Sequence, residues 1–214
     1  MGLALQDRLS GRMTGAEFRL FQQSRPDHER WELIAGAPVM MTPPTIAHNW
    51  IATNLSRLLN EALAAHDPSR IAIQRTGIEL GTGDFRPEPD VCVIEADFGL
   101  GQRFVERVYL LAEVVSASDE VLAVPGTQER WIEAKRKIYR AHRPCEAVLI
   151  VRQDRIEAEI DLRIGDNWQS STLSGGETEL HLPAFGLQCG LGDLYDGTPL
   201  RPRSQAISTC STTP

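Results

Sequence analysis

Aromatic side chains make up only 6% of the 214 residues, and cysteine occurs four times, at Cys92, Cys145, Cys189 and Cys210. No two cysteines have Cys-x-x-Cys spacing, which argues against a zinc ribbon or a thioredoxin-like redox motif. No apolar run approaches the roughly 18 residues a membrane helix needs. The first residues lack the basic-then-apolar pattern of a signal peptide, so a cytoplasmic, soluble protein with reduced thiols and no membrane partner is expected. Internal repeats are absent. Positive charge is also in deficit, with 22 Lys and Arg against 29 Asp and Glu and a net charge of −7. The chain as a whole repels nucleic acid and acidic membranes, and any DNA contact must come from a local basic patch.

What is present is ordinary for a folded enzyme or module: 42% hydrophobic and 24% charged residues. A chain of this length can bury roughly 70% of its unfolded surface without staples. Residues 1–198 read as one domain, with the first dozen loose. The Ser-, Thr- and Pro-rich stretch 199–214 reads as a disordered tail.

Thr14 with Glu17 three residues on forms a capping box that opens a short helix to about Gln23. Arg30–Ile34 and Pro38–Met41 read as strands joined around Ala35-Gly36. Thr45 caps a long helix from Ile46 to about Ala65, where Ile51, Leu55, Leu58, Leu59 and Ala62 make one apolar stripe. Strand-like runs follow at 70–80, 89–94 and 107–116. The continuous apolar stretches Val91–Ile94 and Val108–Ala112 suit strands covered on both faces. A helix over 128–141 and a buried strand at Ala147–Val151 complete a strand–helix–strand crossover, which requires the two strands to be parallel. Strand-like pieces at 155–164, 168–173 and 179–182 form a C-terminal β-meander. The fold class is therefore α/β, a mixed central sheet flanked by helices.

Three side chains fall where ionisable groups are costly. Asp90 immediately precedes an apolar strand, and Glu113 sits late in another. Lys135 lies on the inward stripe of the second long helix with Trp131, Ala134 and Ile138. Two carboxylates on neighbouring strands can hold one hard divalent ion. Blander readings compete: turn chemistry for Asp90, an ion pair with an arginine such as Arg107 for Glu113, a snorkelling side chain for Lys135. Glu32 by alternation faces away from Trp31 and Leu33 and reads as a solvated acid. His48, in the first turn of the long helix, reads as structural. Arg136, Lys137, Arg140 and Arg143 project outward as a basic face.

The ordered set of segments resembles a known family. Trp31-Glu32-Leu33-Ile34-Ala35-Gly36, Pro43 to His48, Pro89-Asp90-Val91, Glu113-Val114-Val115-Ser116, Lys135 with Tyr139, and Glu146 to Val151 occur in the order found in the Uma family of "putative restriction endonucleases". That family belongs to the PD-(D/E)XK nuclease superfamily, and the resemblance runs from about Thr14 to Tyr195. It implies a restriction-endonuclease-like fold in which Asp90 and Glu113 are the motif acids and bind Mg²⁺ or Mn²⁺. The usual lysine two residues after the second acid is absent, because position 115 is Val115. The resemblance places that lysine on the following helix, at Lys135. It also makes Glu32 an accessory acid, with His48 and Tyr139 as possible accessories. Ala117, Pro144-Cys145 and Arg152 depart from the family pattern without removing a ligand.

The leading expectation is a metal-dependent endonuclease hydrolysing DNA phosphodiester bonds, with the face formed by Arg136, Lys137, Arg140 and Arg143 on the phosphate backbone and a homodimer as the assembly. The alternative is a catalytically silent nuclease-fold module used for binding or assembly.

Overall fold

A computed structural model describes residues 12–26, 28–80, 83–121, 123–124 and 126–203. Residues 1–11 of the expected loose first dozen and most of the expected tail lie outside the described residues, as does Cys210.

Thr14 caps α1 (Gly15–Gln23), and its hydroxyl and Glu17 make the reciprocal capping box. This satisfies two backbone donors that the first helical turn leaves free. The hairpin β1 (Trp31–Ile34) and β2 (Ala37–Met40) turns at Ala35 and Gly36, with φ of 48° and 77°. Two left-handed residues in a two-residue loop match the right-handed twist of the strands. Thr45 caps α2 (Ile46–His66), whose Ile51, Leu55, Leu59 and Leu63 are buried.

The central sheet has six strands: β3 (Arg70–Ile73), β5 (Val91–Glu95), β7 (Val108–Val115), β8 (Ala147–Arg152), β9 (Glu157–Ile164) and β10 (Asn167–Ser174), in the order β10-β9-β8-β7-β5-β3. Within this sheet only β7 and β8 are parallel; its other pairs are antiparallel. Between them come the short helix α3 (Ala117–Val121) and α4 (Trp131–Ala141), so the crossover expected from the sequence is present. Short β4 (Gly77–Ile78) pairs in parallel with β6 (Phe104–Val105), and β11 (Glu179–Leu182) with β12 (Leu187–Gly190) closes the C-terminal part as a hairpin.

Every residue of β7 and β8 is buried. Alternation explains why: Val91, Val93, Leu110, Ala112, Val114, Leu149 and Val151 pack on α2, while Cys92, Ile94, Leu111, Val115, Val148 and Ile150 pack with Ile132 and Tyr139 of α4. Glu113 shares the parity of Leu111 and Val115 and therefore faces α4. A third apolar cluster, with Ile34, Val124, Trp131 and Ala134, seats the β1–β2 hairpin on α4.

The structure differs from the sequence expectations at several places. The run 70–80 is not one strand, because Arg75 adopts φ 56° and separates β3 from β4. The helix expected from 128 begins at Trp131. Within the expected tail, residues 199–203 are described and Arg201 bridges to Asp196 and Thr198.

Ala35 holds a conformation that costs an L-residue with a Cβ roughly 1–2 kcal/mol, and asparagine tolerates it better. Ala35→Asn is expected to stabilise the protein by about 1 kcal/mol. That corresponds to a rise of about 2–4 °C in Tm for a chain of this size, readable by circular dichroism.

Candidate active site

Three elements deliver acids to one point. Asp90 directly precedes β5, and extending the pairing Val91↔Ala112 by one residue sets it opposite Glu113 of β7. Glu32 comes from β1, whose Leu33 bridges to Arg86, so the segment leading to Asp90 runs beside it. α4 lies over this end of the sheet and lowers Lys135 between the acids. The Lys135 Nζ donates to Glu32 Oε1 at 3.0 Å and to Glu113 Oε1 at 3.1 Å. One turn further along α4, the Tyr139 hydroxyl donates to the same Glu113 oxygen.

Each member has a second anchor. Asp90 Oδ2 accepts from the Val114 amide at 2.9 Å, and Oδ1 lies 2.9 Å from His48 Nε2 at the start of α2. Glu32 Oε1 also accepts from the Glu88 amide at 3.0 Å, while Glu32 Oε2 is buried with no partner. All of these acids and the lysine are buried: Glu32 is 1%, Glu113 6% and Lys135 2% exposed. Glu32 is thus not the solvated acid that strand alternation implies. Both faces of β1 are covered, one of them by α4.

Lys135, Glu113, Asp90, Glu32 and His48 line one cavity of about 260 Å³, together with Ser116, Asp119 and Gln153 at its rim. Asp119, which accepts from both the amide and hydroxyl of Ser116, and Gln153, which meets Thr45, carried no sequence signal. Their approach depends on the turn after β7 and the end of β8. Arg107 pairs with Glu95 rather than Glu113.

The charge balance is uneven, with one ammonium among three carboxyls. Burial, reinforced by Asp90 and Glu32, pushes the Glu113 carboxyl up to about 8 despite Lys135 beside it. For Asp90, burial acts in the same direction but is outweighed by the His48 hydrogen bond and charge and by the Val114 amide, so it stays below its usual range. For Lys135, burial disfavours the charged form, yet Glu113, Glu32 and Asp90 outweigh it and hold the ammonium protonated. Cys92 and Cys145 are buried and pushed up to about 12, which argues against thiolate chemistry at either.

Among the described residues, no three His, Cys, Asp or Glu side chains form a ready metal cage. The donor set nonetheless suits a hard divalent cation. Asp90 and Glu113 offer oxygens on adjacent strands, Glu32 Oε2 lacks a partner, and the cluster carries excess negative charge. Two carboxylates with waters filling the remaining positions is a common way to hold Mg²⁺.

The residues expected to face DNA are placed differently from one another. Arg136 lies half-sunk against β9, where it pairs with Asp161 at 2.6 Å and with Glu159 at 2.6 Å. Arg140 reaches Asp161 at 3.9 Å and stacks on Trp168. Lys137 is exposed but pairs with Glu129, and Arg143 is exposed. An outward basic stripe over all four is therefore not what the helix presents: Arg136 is held inward by two acids.

The family model described as "Putative restriction endonuclease", Uma2, matches residues 16–192. The chain belongs to the Uma2 family. A crystal structure of a "putative nuclease belonging to DUF820" from Anabaena variabilis ATCC 29413 superposes with a TM-score of 0.61 at 14% identity, covering 82% of this chain and 94% of that one. The Uma2 member thus has a nuclease-like fold, and the crystal structure speaks to fold alone. A search of curated proteins found no match. Among the described residues, no helix is long and apolar enough to cross a membrane.

Between the ordinary value of 4.5 and about 8, folded Glu113 keeps a proton that the unfolded chain releases. Its contribution to stability is therefore greatest at low pH and falls as pH climbs through that window. Glu113→Gln keeps the acceptor for Lys135 and Tyr139 without the charge. In metal-free protein it is expected to raise Tm by several degrees at pH 8 and to flatten the pH dependence of Tm between pH 5 and 8. Lys135→Met strands two buried acids and is expected to cost about 3–5 kcal/mol at neutral pH, with partial recovery on acidification.

Proposed function

We propose that this Uma2 protein is an endonuclease that hydrolyses DNA phosphodiester bonds with the help of Mg²⁺ or Mn²⁺. The observation that carries the reading is the convergence of Asp90, Glu113 and Lys135 on one cavity, from two adjacent strands and the crossover helix. In the reaction a water oxygen bonds to phosphorus, the bond from phosphorus to the leaving sugar oxygen breaks, and that oxygen takes up a proton.

Asp90 and Glu113 would hold the cation. A bound divalent ion lowers the pKa of water and offsets charge on the phosphate. His48 and the Val114 amide fix Asp90, and Tyr139 fixes Glu113, so neither carboxylate has to reorganise to present its free lone pairs. Lys135 supplies a fixed positive charge beside the scissile phosphate, where charge builds as water attacks. Glu32 positions Lys135 and contributes its second oxygen to the same cavity. Neutralisation of the acids by a cation would also draw the proton from Glu113. Metal binding is therefore expected to tighten as pH rises towards 8.

Plasmid incubated with protein and Mg²⁺ or Mn²⁺ tests the reading. Wild type is expected to nick it, with Glu113→Gln and Asp90→Asn each at least about a hundredfold slower. Calorimetry is expected to give a metal-binding heat that Glu113→Gln and Asp90→Asn remove. Wild-type protein that neither nicks DNA nor binds metal would leave a non-catalytic module with a nuclease fold. Equal nicking by wild type and both variants would assign the activity elsewhere.

A further inference from the structure

Beside the acidic cavity lies a larger cleft of about 590 Å³ with the opposite charge. Arg19, Arg25, Arg30, Arg75 and Arg103 line it, against Glu29 and Glu88. In a chain of net charge −7 this is a local reversal of sign. The two cavities share Arg30 and Glu88, paired at 3.3 Å, as a common rim, which sets the cleft next to the carboxylates.

Several features mark the cleft as built. Arg75 is exposed and held at φ 56°, a conformation disfavoured for a side chain with a Cβ, and its amide donates to Pro89 O at 3.2 Å, one residue from Asp90. Backbone strain tied this closely to a candidate catalytic acid has a cost that surface decoration does not explain. Arg25 stacks on Phe21 with its guanidinium carbon 4.5 Å from the ring centroid, and its Nε is buried without a partner. The floor is formed by close packing of Gly77 against Phe104, where a Cβ would meet the ring at 2.5 Å. Some of the cleft arginines have partners: Arg19 pairs with Glu79, Arg30 with Glu88 at 3.3 Å, and Arg75 donates to the neutral Asn49. Arg75 keeps its charge uncompensated, and Arg25 and Arg103 form no ion pair among the described residues. On α4, by contrast, Arg136 is consumed by two acids, Asp161 and Glu159, and Lys137 by Glu129.

We infer that the Arg25–Arg30–Arg75–Arg103 cleft, not the outer face of α4, is the track along which the phosphate backbone of double-stranded DNA reaches the Asp90–Glu113 cavity. The inference rests on the nuclease reading for its substrate but concerns binding alone. Guanidinium groups suit it because each can grip phosphate oxygens in a bidentate fork. The cleft meets the acidic cavity at Arg30, so a backbone lying along the arginines would pass one phosphate over the acids, where a cation could offset the local negative charge.

Binding is measured by fluorescence anisotropy with a labelled DNA duplex, in the full chain carrying Glu113→Gln so that cleavage plays no part. Arg75→Asn combined with Arg103→Gln is the cleft variant; asparagine keeps the left-handed backbone at position 75. Lys137→Gln combined with Arg143→Gln is the α4 variant, and Tm of each is checked against the parent. The cleft variant is expected to bind at least about tenfold more weakly and to lower the slope of log affinity against log salt by about two. The α4 variant is expected to stay within about twofold. An undiminished cleft variant, a larger loss in the α4 variant, or no duplex binding by the parent at low salt each overturns the inference. Tighter binding of a matched RNA duplex or single strand by about tenfold overturns the choice of double-stranded DNA. Salt-dependent binding lost in the cleft variant, alongside absent cleavage by wild type, would sustain the cleft and sink the nuclease reading.

Discussion

The arrangement depends on one buried ammonium placed among three carboxyl groups. Lys135 contacts Glu32 and Glu113 directly and feels Asp90. Without it, the convergence of acids from β1, the approach to β5, and β7 would bury like charges together, at a cost that is a large fraction of the usual net stability of a domain this size. With it the cluster is tolerated but not balanced, and burial, reinforced by Asp90 and Glu32, leaves Glu113 its proton up to about pH 8. Such imbalance is typical of sites arranged for a ligand of the missing charge rather than for stability.

The scaffold supplies this placement through its central strand pair. β7 and β8 are covered on both faces, so the side chain at position 113 has no route to bulk water except through the cavity. The crossover that makes them parallel also sets α4 over the same end of the sheet as Asp90. The lysine can therefore come from a helix although its partner acid is on a strand. Position 115, two residues beyond the acid, is Val115 and packs in the apolar layer with Ile132 and Ile150.

Much of the scaffold was legible in the sequence because its signals are local. The Thr14 and Thr45 caps, the α2 stripe, the apolar runs of β5, β7 and β8, and the crossover all follow from short-range pattern. The inward lysine of α4 was legible too, since Lys135 falls on a stripe with Trp131 and Ala134. The burial of Glu32 was not. Alternation describes a strand with one wet face, and β1 loses that face to a helix about 100 residues away. The pairing of Arg136 was hidden in the same way, because Asp161 and Glu159 lie on β9 and meet it only once the sheet is complete. The cleft arginines left no signal either: five positions spread from 19 to 103 form no basic run, and they gather only where α1, the β1 approach and the β4–β6 pair enclose one space.

The hairpin seated on α4 has a consequence for how the molecule can open. Ile34 packs with Trp131 and Ala134, and Glu32 shares the ammonium of Lys135 with Glu113. If α4 lifted by itself, it would leave orphaned anions in a dry interior. If the hairpin lifted by itself, it would strip the helix of its apolar cover. The two elements therefore make one cooperative unit, and partial unfolding releases them together or not at all.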